Sequence, residues 1–341
     1  MGKVETIAKW DLINNKWKNN PSDKDKGRSF SFINYEKIKK DSEKIKYIII
    51  SPGARVEDYT SDNTNVDDRK SSINKIIKHY KSMVGNYDIK MHLMDADAPI
   101  IEDAKLLAKK VDELIKDKNT ESVNLIGYSK SGVMNFYIPS FLKNKSALKK
   151  VNIINIATPY NGTIMASPRI LFKKLRKVTD KIPIKKISNY TYKKLEEKYN
   201  KMCSNSHMDY DIGVENSFGK ERIKLYDKKL IQRIFKRKNI RCIKKINSFK
   251  NITTGIDNNT MKESILKLNF NNIGLCLLNK YIFNKTSDGF VTIDSQKRVE
   301  KFLNIESENI PSCTHEVNKN NRTYKSLIKI LDKTILSENG D

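Results

Sequence analysis

Residues 124 to 133 read NLIGYSKSGV, and the way this stretch folds decides the architecture. Val123, Leu125 and Ile126 lead in as a buried strand would, Gly127 stands two positions before Ser129, and VMNFYIPSFL follows as an amphipathic helix. Strand, tight turn and helix in that order make a nucleophile elbow, in which a serine is exposed on a sharp, strained turn. Exposure matters because a serine hydroxyl is a poor nucleophile unless a base can reach it. The flanking positions must be small where strand and helix approach each other. Gly127 meets that need, but Ser131 stands where the GxSxG pattern has its second glycine, with Gly132 one step later.

On either side the chain alternates strand and helix signals. KIKYIIISPGAR reads as a buried strand over Ile45 to Ile50 ended by a Ser-Pro-Gly turn. Ile73, Ile76, Ile77, Tyr80 and Val84 keep helical spacing, YDIKMHLMD is a second strand, and Ile101, Ala104, Leu107, Ala108, Val111 and Leu114 share one helix face. SVNLIGYS is the third strand and LKKVNIINIATP the fourth. Such alternation predicts a mostly parallel central sheet with helices on both faces, and sites at the carboxyl ends of its strands. From 163 to 246 the alternation gives way to basic amphipathic segments such as RILFKKLRKV, expected as an inserted helical cap. Sheet signals return at FKNITTGID and DGFVTID, and TYKSLIKILDKTIL closes the chain as a helix. The expected organisation is a polar N-terminal extension over 1–43, a core over 44–162 and 247–341, and the cap over 163–246.

With 341 residues, the chain can bury a large core. No run of about 18 apolar residues occurs, and MGKVETIAKWDLINNKWKNN lacks the apolar centre of a signal peptide. The chain as given is therefore expected to be cytoplasmic, or peripheral at a membrane. Cys203, Cys242, Cys276 and Cys313 are scattered without metal-ligand spacing, so free thiols are expected and no metal or cofactor. The net charge is +26, with 25 Lys and Arg against 8 Asp and Glu between 166 and 250. That patch suits an anionic membrane surface, or less well nucleic acid, since no nucleic-acid-binding signature accompanies the charge.

A serine hydrolase needs a base for the serine proton and an acid to orient the base. Of four histidines, His79 falls in a helix upstream of the elbow, His92 in a strand, and His207 in the cap. His315, in THEVNK between the last strand signal and the final helix, is the best base. Asp288, at the Asp-Gly turn of TSDGFVTIDSQ, is the first choice for the acid, and Asp257 in TTGIDNN is the alternative. Ser129, Asp288 and His315 then run in the chain order of an α/β-hydrolase.

Taken together, IIISPGAR, NLIGYSKSG, INIATPYNGT, TSDGFVTIDSQ and THEVN resemble the successive landmarks of bacterial lipases and lipase-like esterases of the α/β-hydrolase fold. There the first strand ends in HG and an oxyanion residue, the elbow reads GHSxGG, the next strand ends in TPHxG, the acid sits in a DGxV loop, and E-V-N follows the histidine. The likeness covers residues 44 to 160 and 247 to 335. It implies Ser129 as nucleophile, His315 as general base and acid, and Asp288 as its orienting partner. The implied oxyanion hole is the backbone N–H groups of Ala54 and Lys130, and the implied substrate is an ester or lipid. The sequence departs from the pattern at Pro52, Tyr128 and Ser131, and Lys130 is expected to put a cation at the mouth. Glu316 and Val317 do not reproduce a calcium-binding pattern. The inserted segment lies where such lipases carry a lid. The alternative is a catalytically impaired version of the fold that holds an anionic partner through its basic cap.

Overall fold

A computed structural model of the chain describes residues 3–11, 16–19, 29–35, 44–53, 72–83, 86–93, 100–163, 176–177, 193, 233–255, 286–311, 313 and 321–336. Nine strands among them form one sheet: β1 Lys3–Asp11, β2 Lys16–Asn19, β3 Ser29–Tyr35, β4 Ile45–Ser51, β5 Tyr87–Leu93, β6 Thr120–Tyr128, β7 Val151–Ile156, β8 Ser248–Gly255 and β9 Glu308–Pro311. Their order is β2-β1-β3-β5-β4-β6-β7-β8-β9. From β5 to β9 every pairing is parallel, while β1, β2 and β3 pair antiparallel.

The central strands are apolar on both sides because both faces of the sheet are covered. All six residues of β7 are buried. On one face lie α2 (Ile100–Lys116), α3 (Lys130–Phe141) and α4 (Arg237–Ile243), sharing a core with Tyr47, Ile49, Leu125 and Ile153. On the other lie α1 (Ser72–Ser82) and α7 (Asn321–Ile335), whose Ile76, Ile77, Leu327 and Leu331 meet Ile48, Ile50, Ile126 and Ile154. Two short turns, α5 (Ile293–Gln296) and α6 (Glu300–Leu303), lead to β9. Asparagines inside the sheet are bonded to one another or to the backbone. Asn124 Nδ2 donates to Tyr47 O at 3.0 Å, Asn152 Nδ2 to Asn124 Oδ1 at 2.8 Å, and Asn247 Nδ2 to Asn152 Oδ1 at 2.8 Å. That ladder satisfies the polar side chains of Asn124 and Asn152 on the central strands.

Several elements differ from expectation. Residues 3–11, 16–19 and 29–35 join the sheet, extending it beyond β5, where composition shows only a polar segment. Helix α3 is enclosed rather than amphipathic, with Lys130 to Ser140 all buried between the sheet, α2 and α4. The DGFVTID segment is not a strand: a single bridge, Ser287 to Thr292, closes a tight turn that runs into α5. The next strand is β9, four residues long and too short to show a period. No helix among the described residues is long and apolar enough to cross a membrane. Most of the expected cap, 164–232 apart from three residues, lies outside the described residues.

Candidate active site

Ser129 joins β6 to α3 with φ 55 and ψ −121. Those angles lie outside the regions that residues with a side chain ordinarily occupy, so the turn stores strain that its surroundings must hold. Ser129 N donates to Ile156 O at 2.8 Å, which ties the elbow to the end of the neighbouring strand. The serine is partly exposed, whereas the residues after it are buried.

The close approach that the turn requires is made by Gly127 and Gly132. A Cβ on Gly127 would lie 2.9 Å from the Gly132 backbone, and one on Gly132 would lie 2.9 Å from Thr158 Cβ. Asn155 Nδ2 donates to Gly132 O at 2.9 Å and to the Tyr160 hydroxyl at 2.8 Å, fixing the first turn of α3. Position 131 is thus released from the small-residue constraint. Its serine hydroxyl accepts the Gly53 N–H at 2.8 Å. Gly53 itself has φ +89, and a Cβ there would come 2.8 Å from Tyr128 O, so the turn after β4 lies directly against the elbow.

Lys130 corrects one expectation: its side chain is wholly buried and puts no cation at the mouth. The reason is the enclosure of α3 on every side. Its backbone N–H remains in the first turn of a helix, where N–H groups point outward along the axis without an intrahelical acceptor. Ala54, the other expected oxyanion donor, lies one residue past the described Gly53.

Asp288 sits beyond the carboxyl end of β8, 1% exposed. Its Oδ1 accepts the Phe290 and Val291 N–H groups at 2.9 and 2.8 Å. Its Oδ2 accepts from the Thr254 hydroxyl at 2.7 Å and from Gln296 Nε2 at 3.1 Å. Gln296 in turn grips β8, giving Nε2 to Thr254 O at 2.9 Å and taking the Thr254 N–H at 2.8 Å. The turn after β7 braces the same segment: Thr163 donates to Phe290 O, Ser295 Oγ donates to Gly162 O at 2.8 Å, and Asn161 N donates to Ser295 Oγ at 3.0 Å. Since β7 lies between β6 and β8, Ser129 and Asp288 stand at the same carboxyl end of the sheet, past strand ends that are about two strand spacings, roughly 10 Å, apart. Asp257 and His315 lie outside the described residues. Cys313, two residues before His315, donates its N–H to Gly255 O at the end of β8 at 3.4 Å, within the influence of Asp288. Burial, with the Asp288 charge next, pushes the Cys313 thiol up to about 12.

Two other histidines have structural partners. His79 Nε2 meets Asp332 Oδ1 at 3.0 Å between α1 and α7. His92 is buried at the end of β5, with Nδ1 3.1 Å from Ser51 Oγ, and burial lowers it from 6.5 to about 3, leaving the ring neutral. His207 lies outside the described residues. Sequence reasoning missed Thr254, Gln296 and the hydroxyl of Ser131. All three sat within quoted stretches, Thr254 in TTGIDNN, Ser131 in NLIGYSKSG and Gln296 in TSDGFVTIDSQ, but nothing in their spacing marked these contacts.

Strand order, the serine elbow after β6 and a carboxylate turn after β8 define an α/β-hydrolase fold. No family model matches the chain, and no curated protein matches it in sequence. Among solved structures, a lipase of Bacillus licheniformis in mature form is 12% identical with a TM-score of 0.41, over 90% of this chain and 98% of that one. The peroxisomal alpha-beta-hydrolase of Saccharomyces cerevisiae is 12% identical with a TM-score of 0.47, over 100% and 91%. An acylaminoacyl peptidase of Pyrococcus horikoshii is 10% identical with a TM-score of 0.45, over 100% and 43%. At such identities and scores, the fold assignment rests on this chain's own topology and elbow.

Proposed function

We propose that the protein is a serine hydrolase that cleaves carboxylic esters, lipid-like ones in particular, through an acyl-enzyme. The observation that carries this reading is the strained, partly exposed Ser129 at the start of an enclosed helix, at the same carboxyl end of the sheet as a carboxylate held by four donors. In the proposed reaction Ser129 Oγ gives its proton to the imidazole of His315 and attacks the ester carbonyl. The tetrahedral oxyanion is received by the N–H groups of Ala54 and Lys130. The C–O bond breaks as His315 returns the proton to the leaving alkoxide. Water then gives a proton to His315, attacks the acyl carbon and releases the acid, restoring the Ser129 hydroxyl. Asp288 keeps the imidazole in the right tautomer and supports its charge.

The test is labelling by a fluorophosphonate probe with mass mapping of the adduct. An adduct on Ser129 that is absent from Ser129→Ala is the expected result. A folded wild-type protein that neither labels nor hydrolyses p-nitrophenyl esters would remove the reading.

A second observation favours a basic surface that docks on an anionic partner, whether or not the protein turns over. Arg233, Lys236, Arg237, Lys238, Arg241, Lys244 and Lys245 are all exposed, with no acidic residue between 233 and 250. Stacking of Phe235 on Phe302 at 4.0 Å brings exposed Lys297, Arg298 and Lys301 alongside. Basic residues near an anionic bilayer contribute about 1 kcal/mol each, so such a face suits a phospholipid surface. Sedimentation with phosphatidylglycerol vesicles but not phosphatidylcholine vesicles, weakened by salt, is expected. Equal partition to both, or retention on DNA alone, would count against a membrane.

A further inference from the structure

We infer that the turn after β7, residues 157–163, is a spacer that fixes the acid turn relative to the nucleophile elbow, with Ser295 as its positioning residue; this rests on the hydrolase reading above. Ser129 and Asp288 stand past the ends of β6 and β8, which are not neighbours, so what lies at the end of β7 sets their separation. On the elbow side the Ile156–Ala157 peptide is bonded in both directions. Its C=O accepts the Ser129 N–H at 2.8 Å, and its N–H donates to Ile252 O of β8 at 2.9 Å. Ala157, buried and left-handed at φ 51, then bends the chain out of the strand. A residue with a side chain keeps that conformation only where its surroundings hold it. Tyr160, also buried, is anchored to the elbow through Asn155, whose Nδ2 donates to the Tyr160 hydroxyl at 2.8 Å and to Gly132 O at 2.9 Å.

On the acid side the turn is held by Ser295 and Thr163. The buried Ser295 hydroxyl accepts the Asn161 N–H at 3.0 Å and donates to Gly162 O at 2.8 Å, gripping the peptide before Asn161 and the peptide after Gly162. Thr163 Oγ1 donates to Phe290 O. These two ties fall on the groups that hold the two carboxylate oxygens. Phe290 gives its N–H to Asp288 Oδ1 at 2.9 Å, and Gln296, next to Ser295, gives Nε2 to Oδ2 at 3.1 Å. A shift at either tie therefore displaces the carboxylate, and a misplacement of about 1 Å can cost roughly 100-fold in rate. The Ser295 hydroxyl is not needed by its own helix, because Thr292 Oγ1 caps α5 by accepting the Ser295 N–H at 3.2 Å. Its bonds go to the β7 turn instead.

The experiment measures kcat and KM on a p-nitrophenyl ester for Ser295→Ala and Thr163→Val, each made in the wild type and in Asp288→Asn, with thermal melts to give the folded fraction. In the wild-type background kcat should fall about tenfold, with KM within about threefold. In Asp288→Asn, where the carboxylate is already gone, the same changes should lower kcat by less than about twofold, since residues that act as a unit are not additive. A merely structural role would give the same loss in both backgrounds. Thr163→Val keeps the shape of its side chain and so keeps the test valid if Ser295→Ala folds poorly. Unchanged kcat per folded molecule, or an equal loss in both backgrounds, would overturn the assignment and leave the hydrolase reading standing. Full activity in Asp288→Asn would also overturn it, by removing the acid. A folded wild type that neither labels with the fluorophosphonate nor hydrolyses esters removes the hydrolase reading and this inference with it.

Discussion

Thr254 donates its hydroxyl to Asp288 Oδ2 across 2.7 Å, joining the end of β8 to a turn 34 residues later. Thr254 with Gln296 holds one oxygen of the Asp288 carboxylate while the Phe290 and Val291 N–H groups hold the other, the fixed plane that the proposed orienting role requires. Thr254→Val keeps the shape of the side chain and removes the donor. Losing a hydrogen bond to a charged group is worth ~1.5–3 kcal/mol, so kcat should fall about tenfold or more with KM little changed. Steady-state kinetics with a thermal melt check this, and an unaltered kcat would show that the tie serves the fold alone.

Asp288→Asn should be the more severe change. The amide oxygen can still accept from Phe290 and Val291, so the turn survives. Its NH2 then faces Gln296 Nε2, a donor that cannot accept. The imidazole also loses the charge that stabilises its protonated form. A drop in kcat of about 10³ to 10⁴ is expected by analogy with carboxylate-to-amide changes in triads. If Asp288→Asn turns over normally while Asp257→Asn does not, the acid is Asp257.

Replacing Ser129 separates strain from chemistry. Both Ser129→Ala and Ser129→Gly should abolish ester hydrolysis, but only glycine adopts φ 55 with ψ −121 without steric cost. A strained residue of this kind costs about 1–3 kcal/mol, part of which glycine returns through greater freedom of the unfolded chain. Ser129→Gly should therefore melt above Ser129→Ala. Equal melting temperatures would mean that the turn is not strained.

Stability should fall in acid through His92. Its folded pKa is lowered to about 3 from 6.5 by burial, so between those values the unfolded chain binds a proton that the folded chain refuses. The contribution is complete above pH 6.5 and is lost as pH falls towards 3, at about 1.4 kcal/mol per pH unit. Urea melts from pH 7.5 to 4.5 should show a steeper decline for wild type than for His92→Gln. Parallel curves would place the acid sensitivity elsewhere.

Much of the fold is legible locally. β4, α1, β5, α2, β6 and β7 fall where hydrophobic period and turn residues put them, because both faces of the sheet are covered and each element carries its own pattern. The sharp turn at Ser129 is legible for the same reason: a strand-to-helix turn of that kind demands small residues at fixed spacing, and Gly127 and Gly132 supply them. What hides is what lacks a period. The N-terminal strands alternate too weakly to stand out from a lysine-rich background, and β9 has only four residues. The DGFVTID turn reads as a strand because Phe290, Val291 and Ile293 are strand formers. Its path is instead set by Asp288, which draws two backbone N–H groups onto one oxygen.

The sequence by itself determined the alternation of strands and helices, the elbow at Ser129 and the order of serine, aspartate and histidine along the chain, since these depend on local pattern and spacing. Tertiary structure alone decided which groups hold them. Thr254 and Gln296 reach Asp288, Ser131 reaches Gly53, and Lys130 is buried rather than displayed, each through contacts between segments remote in the chain. Such contacts leave no periodic trace, because a hydrogen bond across the ends of adjacent strands constrains two positions in space and none of the residues between them.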